Sequence, residues 1–268
     1  MKIGFLQFAP VLGNPSGSIE RLNSALKNVE SVDLLVIPEL SNSGYNFVSE
    51  SQARQASETI GKGPFSDYIR QQSSALGCHI VAGINEGEGD RLYNCAILVG
   101  PDGIIGKYRK MHLYLNEPDF FEPGDTLPSV YDIGGVKVSI LICFDWAFPE
   151  VWRMVALAGA QVICHPSNIV NPKRALIGLA GHALCNRIHI VTANRIGTEG
   201  DLTFGGMSTI LSPNGEPVVR ASSYNDEAIV VDIDPSEALD KHLTARNDVL
   251  NDRRPEMYRS LIDTTGDK

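Results

Sequence analysis

The chain has 268 residues, 43% hydrophobic and 21% charged, with a formal net charge of −9. That size and balance fit a soluble globular fold with a large core, and the acidic charge argues against a nucleic-acid or anionic-membrane partner, which needs a basic footprint. No run approaches the roughly 20 apolar residues that span a bilayer, and the five cysteines include no CxxC pair, which points to a cytoplasmic setting rather than a disulfide scaffold or a zinc site.

In chain order, an apolar strand over Ile3–Phe8 opens at once, so no signal peptide is expected before it. A helical pattern over Ser18–Glu30 carries Ile19, Leu22, Leu26 and Val29, and the strand Leu34–Ile37 follows. Pro64–Leu76 starts with proline and stops before Gly77, as a helix should. Strands are expected at Ile80–Ile84 and Cys95–Val99, with a hairpin over Leu98–Ile105 around Gly100-Pro101-Asp102-Gly103. The strand Gly106–Leu113 ends in a cluster of cations and leads into a long irregular stretch, Met111–Pro128. Val136–Ile142 reads as a buried strand, Pro149–Ala158 as a helix, Val162–Cys164 as a strand and Arg174–Arg187 as a helix. The strand Ile190–Ala193 is followed by a second irregular stretch, Gly197–Met207. Ser208–Leu211, a hairpin over Ile210–Val219 and the strand Ala228–Ile233 complete the pattern. Alternating strands and helices with interspersed hairpins imply one layered α/β domain with mixed sheets. The polar tail after Asp234 reads as a surface-wrapping or subunit-contacting segment, with a plain solvated tail as the alternative.

Three apolar strands end in a chemically useful group. Ser139–Ile142 delivers Cys143 to a strand-to-helix corner, with Pro149 and Glu150 expected in the first helical turn. A thiol there would face the positive end of a helix, which favours the thiolate. Alone, the same pattern equally describes a buried core cysteine. The strand Leu34–Ile37 ends at Glu39, and the strand from Gly106 ends at Lys110. A glutamate beside a cysteine can accept the thiol proton and return it to a leaving amine, and a lysine can stabilise the oxyanion. A Cys–His reading has His79, His112, His165, His182, His189 and His242 to draw on, but Cys143 lacks the flanking glycines of known Cys–His and amidotransferase patterns.

Together, Pro38-Glu39-Leu40, Gly106-Lys107-Tyr108-Arg109-Lys110 with His112-Leu113, and Ile142-Cys143-Phe144-Asp145 with Phe148-Pro149-Glu150 resemble the nitrilase superfamily of carbon–nitrogen hydrolases in order and spacing. Leu92-Tyr93-Asn94, Phe121-Glu122-Pro123-Gly124-Asp125, His165-Pro166-Ser167-Asn168, Asn186-Arg187 and Ala193-Asn194-Arg195 extend the likeness across the chain. The resemblance implies a four-layer α-β-β-α sandwich, single-domain over 1–268 with a core at 1–234, that assembles as a homodimer or higher homo-oligomer. It makes Glu39 the general base, Lys110 the stabiliser of the tetrahedral intermediate and Cys143 the nucleophile. Glu117 would be a second acidic residue, with Glu122 and Asp119 as rivals. Phe144 would lend its backbone N–H to the oxyanion, and Tyr45, Trp146 and Asn168 would line the pocket. The implied substrate is a small amide (an aliphatic amide, an ω-amide or an N-carbamoyl amine) cleaved through a thioester with release of ammonia. No metal or organic cofactor is expected. Small aliphatic nitriles are the alternative, and a non-catalytic dimeric scaffold a remote one. Arg187 and Arg195 are candidates to meet a substrate carboxylate, or else are structural ion-pair partners.

Overall fold

The computed structural model describes residues 1–29 and 31–263. Its strands are β1 (Lys2–Gln7), β2 (Leu34–Ile37), β3 (His79–Glu88), β4 (Arg91–Gly100), β5 (Gly103–Arg109), β6 (Val130–Asp132), β7 (Lys137–Ile140), β8 (Val162–Ser167), β9 (His189–Asn194), β10 (Ile196–Glu199), β11 (Leu202–Gly205), β12 (Thr209–Leu211), β13 (Pro217–Arg220), β14 (Glu227–Asp232) and a short pair, β15 (His242–Thr244) and β16 (Asn247–Asp248). The helices are α1 (Pro15–Leu26), α2 (Glu50–Gln55), α3 (Pro64–Leu76), α4 (Pro149–Leu157) and α5 (Pro172–Asn186).

Two six-stranded mixed sheets form the middle of the molecule, in the orders β14-β1-β2-β3-β4-β5 and β13-β12-β9-β8-β7-β6. Each has three central parallel strands, β1-β2-β3 in one and β7-β8-β9 in the other, flanked by antiparallel neighbours. Period-2 alternation sorts the side chains. Ile3, Phe5, Leu34 and Val36 share one face of the first sheet and cluster with Ile140, Cys164 and Val191, which share one face of the second. Their neighbours Leu6, Leu35 and Ile37 point the other way, against Leu22 of α1 and Phe65 and Ile69 of α3. Helices α4 and α5 cover the outer face of the second sheet through Trp152, Val155, Leu179 and Ala183. The layers therefore run helix, sheet, sheet, helix, the four-layer sandwich expected above.

The differences from the sequence expectations have local causes. Helix α1 begins earlier, at Pro15, because the Asn14 side chain caps the Gly17 N–H at 3.0 Å; Glu30, where its pattern ended, lies outside the described residues. The stretch Gly197–Met207, expected to be irregular, contains the hairpin β10–β11, turned by Gly200 at φ 56°. Helix α5 starts at Pro172 rather than Arg174, which places proline at its first position. The strand carrying Lys110 ends at Arg109, one residue before it. The last five residues of the tail lie outside the described residues. No helix among those described is long and apolar enough to cross a membrane.

The parallel strands bring their carboxyl ends to one side of the sandwich, the place where α/β sheets bind ligands. Glu39 lies two residues beyond β2, Cys143 three beyond β7 and Asn168 directly after β8; Lys110 follows the antiparallel β5. One glycine sets the fit there. A Cβ added to Gly83 on β3 would lie 2.4 Å from the Glu39 Cα and 2.5 Å from the Pro38 carbonyl oxygen. Gly83→Ala is expected to cost about 1–3 kcal/mol of stability and to push Glu39 out of register. Urea melts and kcat/KM should fall together, the latter by about tenfold or more.

Candidate active site

Lys110, Glu39 and Glu117 form a buried triad. Both Lys110 and Glu39 are 0% exposed. The Lys110 ammonium donates to Glu39 Oε1 at 2.7 Å and to Glu117 Oε1 at 2.6 Å. Of its three N–H donors, one is left without a partner among the described residues. Asn94 Nδ2 also donates to Glu39 Oε1, at 2.7 Å, while the buried Glu39 Oε2 has no partner among the described residues. Glu39 thus presents one anchored oxygen and one free one.

Of the three candidates for a second acidic residue, Glu117 is the one whose carboxylate meets Lys110. It is buried in the short turn Glu117–Asp119, whereas Asp119 and Glu122 are exposed. Its carboxylate accepts from Tyr45 OH at 2.8 Å and from the Tyr114 N–H at 3.2 Å. Tyr45, expected to line the pocket, donates its hydroxyl to Glu117 and is not among the residues that line the cavity at Cys143. Its loop is fixed by Glu199, whose carboxylate accepts from the Tyr45 and Asn46 N–H groups. Arg195 pairs with that Glu199 and lies over the Phe204 ring, so it is a structural cation. Arg187 is likewise structural: it ends α5 and donates to the carbonyls of Pro213 and Asp240.

Cys143 departs from the sequence expectation in one respect. The corner after β7 is a 3-10 turn over Cys143–Ala147, and α4 starts only at Pro149. Cys143 itself adopts φ 40° and is 5% exposed. Burial pushes its thiol well above the usual range, the charges of Glu39 and Glu117 add to the rise, and Lys110 and the Asn168 backbone N–H only partly oppose it. The resting group is the thiol, which must lose its proton to a base. His165 is not placed for that task. Its Nε2 bonds the Cys143 carbonyl oxygen at 2.9 Å rather than the sulfur, and burial pushes its pKa down to about 4.

A second network, which sequence reading left without a role, holds the turn. Asp145 is fully buried and accepts from the Ile142 N–H at 2.8 Å and Tyr108 OH at 2.9 Å, and its other oxygen lies 2.7 Å from His112 Nδ1. Tyr108 and His112 flank Lys110, while Ile142 and Asp145 flank Cys143, so one carboxylate ties the lysine strand to the nucleophile turn. His112 in turn stacks on Phe148 at 3.7 Å. These residues fall inside the matched motifs, which was the available signal.

Beside Cys143 opens a cavity of about 380 Å³ lined by Tyr114, Phe144, Trp146 and Asn168, continuing to Asn171 and Arg174. Trp146 and Asn168, both expected to line the pocket, meet there with Phe144. Among the described residues no cluster of His, Cys, Asp and Glu suited to a metal ion is found.

The carbon-nitrogen hydrolase family model matches residues 2–240. The chain belongs to the carbon–nitrogen hydrolase family. It is 40% identical to a nitrilase of Pyrococcus abyssi, covering 96% of this chain and 99% of that protein. An (R)-stereoselective amidase of a Pseudomonas species is 34% identical, over 95% and 92% of the two chains. The crystal structure of an amidase from a Nesterenkonia species superposes with a TM-score of 0.82 at 27% identity, covering 97% and 96% of the two chains. In a mutant of that amidase, acrylamide has added to the active-site cysteine. These likenesses support an enzyme that hydrolyses carbon–nitrogen bonds.

Burial holds the Glu117 carboxyl up at about 7, against the pull of Lys110. The folded state therefore binds more protons than the unfolded chain between about pH 4.5 and 7, and stability falls as pH rises through that window. Glu117→Gln is expected to flatten this part of the profile, which thermal melts at pH 5 and pH 8 would show.

Proposed function

We propose that this family member hydrolyses a small amide through a thioester on Cys143, with Glu39 as base and Lys110 as oxyanion stabiliser. The observation that carries the reading is the buried Lys110–Glu39–Glu117 triad, with Glu39 Oε2 unpartnered among the described residues, together with a buried Cys143 thiol whose pKa burial raises.

In the first half-reaction Glu39 takes the thiol proton as sulfur attacks the carbonyl carbon. The oxyanion meets the remaining Lys110 N–H and the Phe144 backbone N–H, donors that need no reorganisation in a dry site. Collapse breaks the C–N bond, and Glu39 passes its proton to the departing ammonia or amine. In the second half-reaction Glu39 deprotonates water, which attacks the thioester. The intermediate expels the thiolate, which recovers the proton. The sum is amide plus water giving acid plus ammonia or amine.

Lys110 suits this role because it stays charged: burial opposes the ammonium, but the Glu117 and Glu39 charges outweigh burial and raise its pKa. Phe144, Trp146 and Asn168 would frame the acyl group in a cavity near the small end of the range for ligand sites. A second reading is nitrile hydrolysis, favoured by the likeness to the Pyrococcus nitrilase; a nitrile would enter as a thioimidate on the same sulfur. The test is ammonia release from a panel of aliphatic amides, ω-amides, N-carbamoyl amines and aliphatic nitriles. Turnover of amides with a Cys143 acyl adduct in the mass spectrum is expected. Turnover of nitriles alone would overturn the amide preference, and the absence of any turnover would overturn the hydrolase reading.

A further inference from the structure

Three aromatic rings hold the backbone of the nucleophile turn, and none has a part in the proton transfers above. His165 Nε2 lies 2.9 Å from the Cys143 carbonyl oxygen, Trp152 Nε1 donates to the Asp145 carbonyl at 2.9 Å, and His182 Nε2 lies 2.8 Å from the Trp146 carbonyl oxygen. The rings pack on one another: Trp152 stacks on His182 at 4.8 Å and meets His165 edge to face at 5.5 Å. His165 is the one that acts on the peptide next to the sulfur.

His165 is fully buried on β8, and burial keeps its ring neutral. A carbonyl oxygen only accepts, so Nε2 carries the hydrogen and Nδ1 is the acceptor. The Thr192 hydroxyl lies 3.1 Å from Nδ1, on the neighbouring strand β9, where Thr192 pairs in register with His165. Ser167 Oγ stands 3.2 Å from the same nitrogen. Flipping the ring would break the bonds at both nitrogens in a site closed to water, which fixes the tautomer.

A trans peptide carries its C=O and N–H on opposite sides, and no cis bond occurs among the described residues. Because the Cys143 carbonyl turns to His165, the Phe144 N–H of the same peptide unit faces away from His165. Cys143 and Phe144 line the cavity and His165 does not. That N–H has no backbone partner among the described residues. The unit needs an anchor, since Cys143 at φ 40° occupies a region that ordinary side chains keep only when their surroundings impose it. Rotated the other way, the unit would aim a carbonyl oxygen at a developing oxyanion, which repels it.

We propose that His165 is a positioning residue for acyl transfer to Cys143. Its Nε2–H anchors the Cys143 carbonyl so that the Phe144 N–H is presented to the oxyanion, and it polarises that peptide so that the N–H donates more strongly. The imidazole itself transfers no proton. The proposal rests on the thioester mechanism of the proposed function.

Two reactions of Cys143 separate this role from a purely structural one. Acetylation by p-nitrophenyl acetate forms the C–S bond through a tetrahedral oxyanion and expels p-nitrophenolate. Alkylation by iodoacetamide displaces iodide from a saturated carbon and forms no oxyanion. The parent protein is expected to take the acetyl group, read as a burst of p-nitrophenolate and a mass gain on Cys143. His165→Phe should slow acetylation by about 10–100-fold, and lower kcat for amides similarly with KM near the parental value. Its iodoacetamide rate should stay within about threefold of the parent's. His165→Gln and His165→Asn both keep an amide but differ in reach. The Gln variant places nitrogen near the former Nε2 and should recover most of the acetylation rate; the Asn variant places it near the former Nδ1 and should not. That contrast decides the question even where the Phe variant does not fold. Equal losses of acetylation and alkylation, or Gln and Asn variants that behave alike, would overturn the positioning role. A parent protein that accepts the acetyl group but cleaves no amide would end the amide-hydrolase reading and leave the role of His165 standing. One that p-nitrophenyl acetate does not acetylate would overturn the role of His165 as well.

Discussion

Cys143→Ala is expected to abolish ammonia release, and Glu39→Gln to reduce it by about 10²–10⁴-fold without disturbing the fold. The two variants separate nucleophile from base. The Glu39 charge helps to raise the Cys143 pKa, so its removal should move the pH profile of Cys143 alkylation by iodoacetamide to lower pH. The thiolate then forms more readily while the enzyme turns over more slowly. Raising the pH should not restore the rate, because Glu39 is also asked to protonate the leaving amine and to activate water. If alkaline pH returned the Gln variant to near parental activity, Glu39 would be only a charge beside the thiol, and the base assignment would fall.

The fold was legible in the sequence, and so was the placing of three candidate residues just beyond strands: Glu39 after Leu34–Ile37, Lys110 after Gly103–Arg109 and Cys143 after Lys137–Ile140. Strand ends are a local signal, and the residues flanking them form the three motifs that carry the family resemblance. Arrangements that depend on distant pairing were not legible. Asn94 reaches Glu39 across 55 positions and Tyr108 reaches Asp145 across 37; neither contact follows from any periodicity. The state of the nucleophile was misread for a related reason. Proline at 149 correctly marked a helix start, but five residues of 3-10 turn separate that start from β7 and its neighbours. Burial first, and then the charges of Glu39 and Glu117, therefore raise the thiol's pKa, with Lys110 and the Asn168 backbone N–H opposing them only in part. Left-handed backbone at Leu40 and Cys143, at φ 48° and 40°, was equally invisible, since neither is glycine. Tertiary contacts hold these residues in a region costly for ordinary side chains. Leu40 adjoins Glu39 and Cys143 is the proposed nucleophile, which fits strain maintained by the packing around a functional site.

Lys110→Met is expected to remove activity and to destabilise the protein by about 3–5 kcal/mol at neutral pH, the scale for stripping the partner from buried charge. Its pH dependence is the diagnostic feature. In the parent protein the ammonium opposes the rise of the Glu117 carboxyl, which burial and Glu39 promote. Without that ammonium, Glu117 faces Glu39 as a buried like charge with nothing left to oppose the rise of its pKa. The folded state then binds more protons than the unfolded chain over a wider span, so the variant's unfolding free energy should fall more steeply from pH 5 to pH 8 than the parent's. Urea titrations at the two pH values measure this directly. Adding Glu117→Gln to Lys110→Met removes one of the two charges and should recover part of the stability at pH 8 while leaving turnover absent. A pH dependence no steeper than the parent's would mean that Lys110 neutralises little in the folded state, and the electrostatic account of the triad would fail with it.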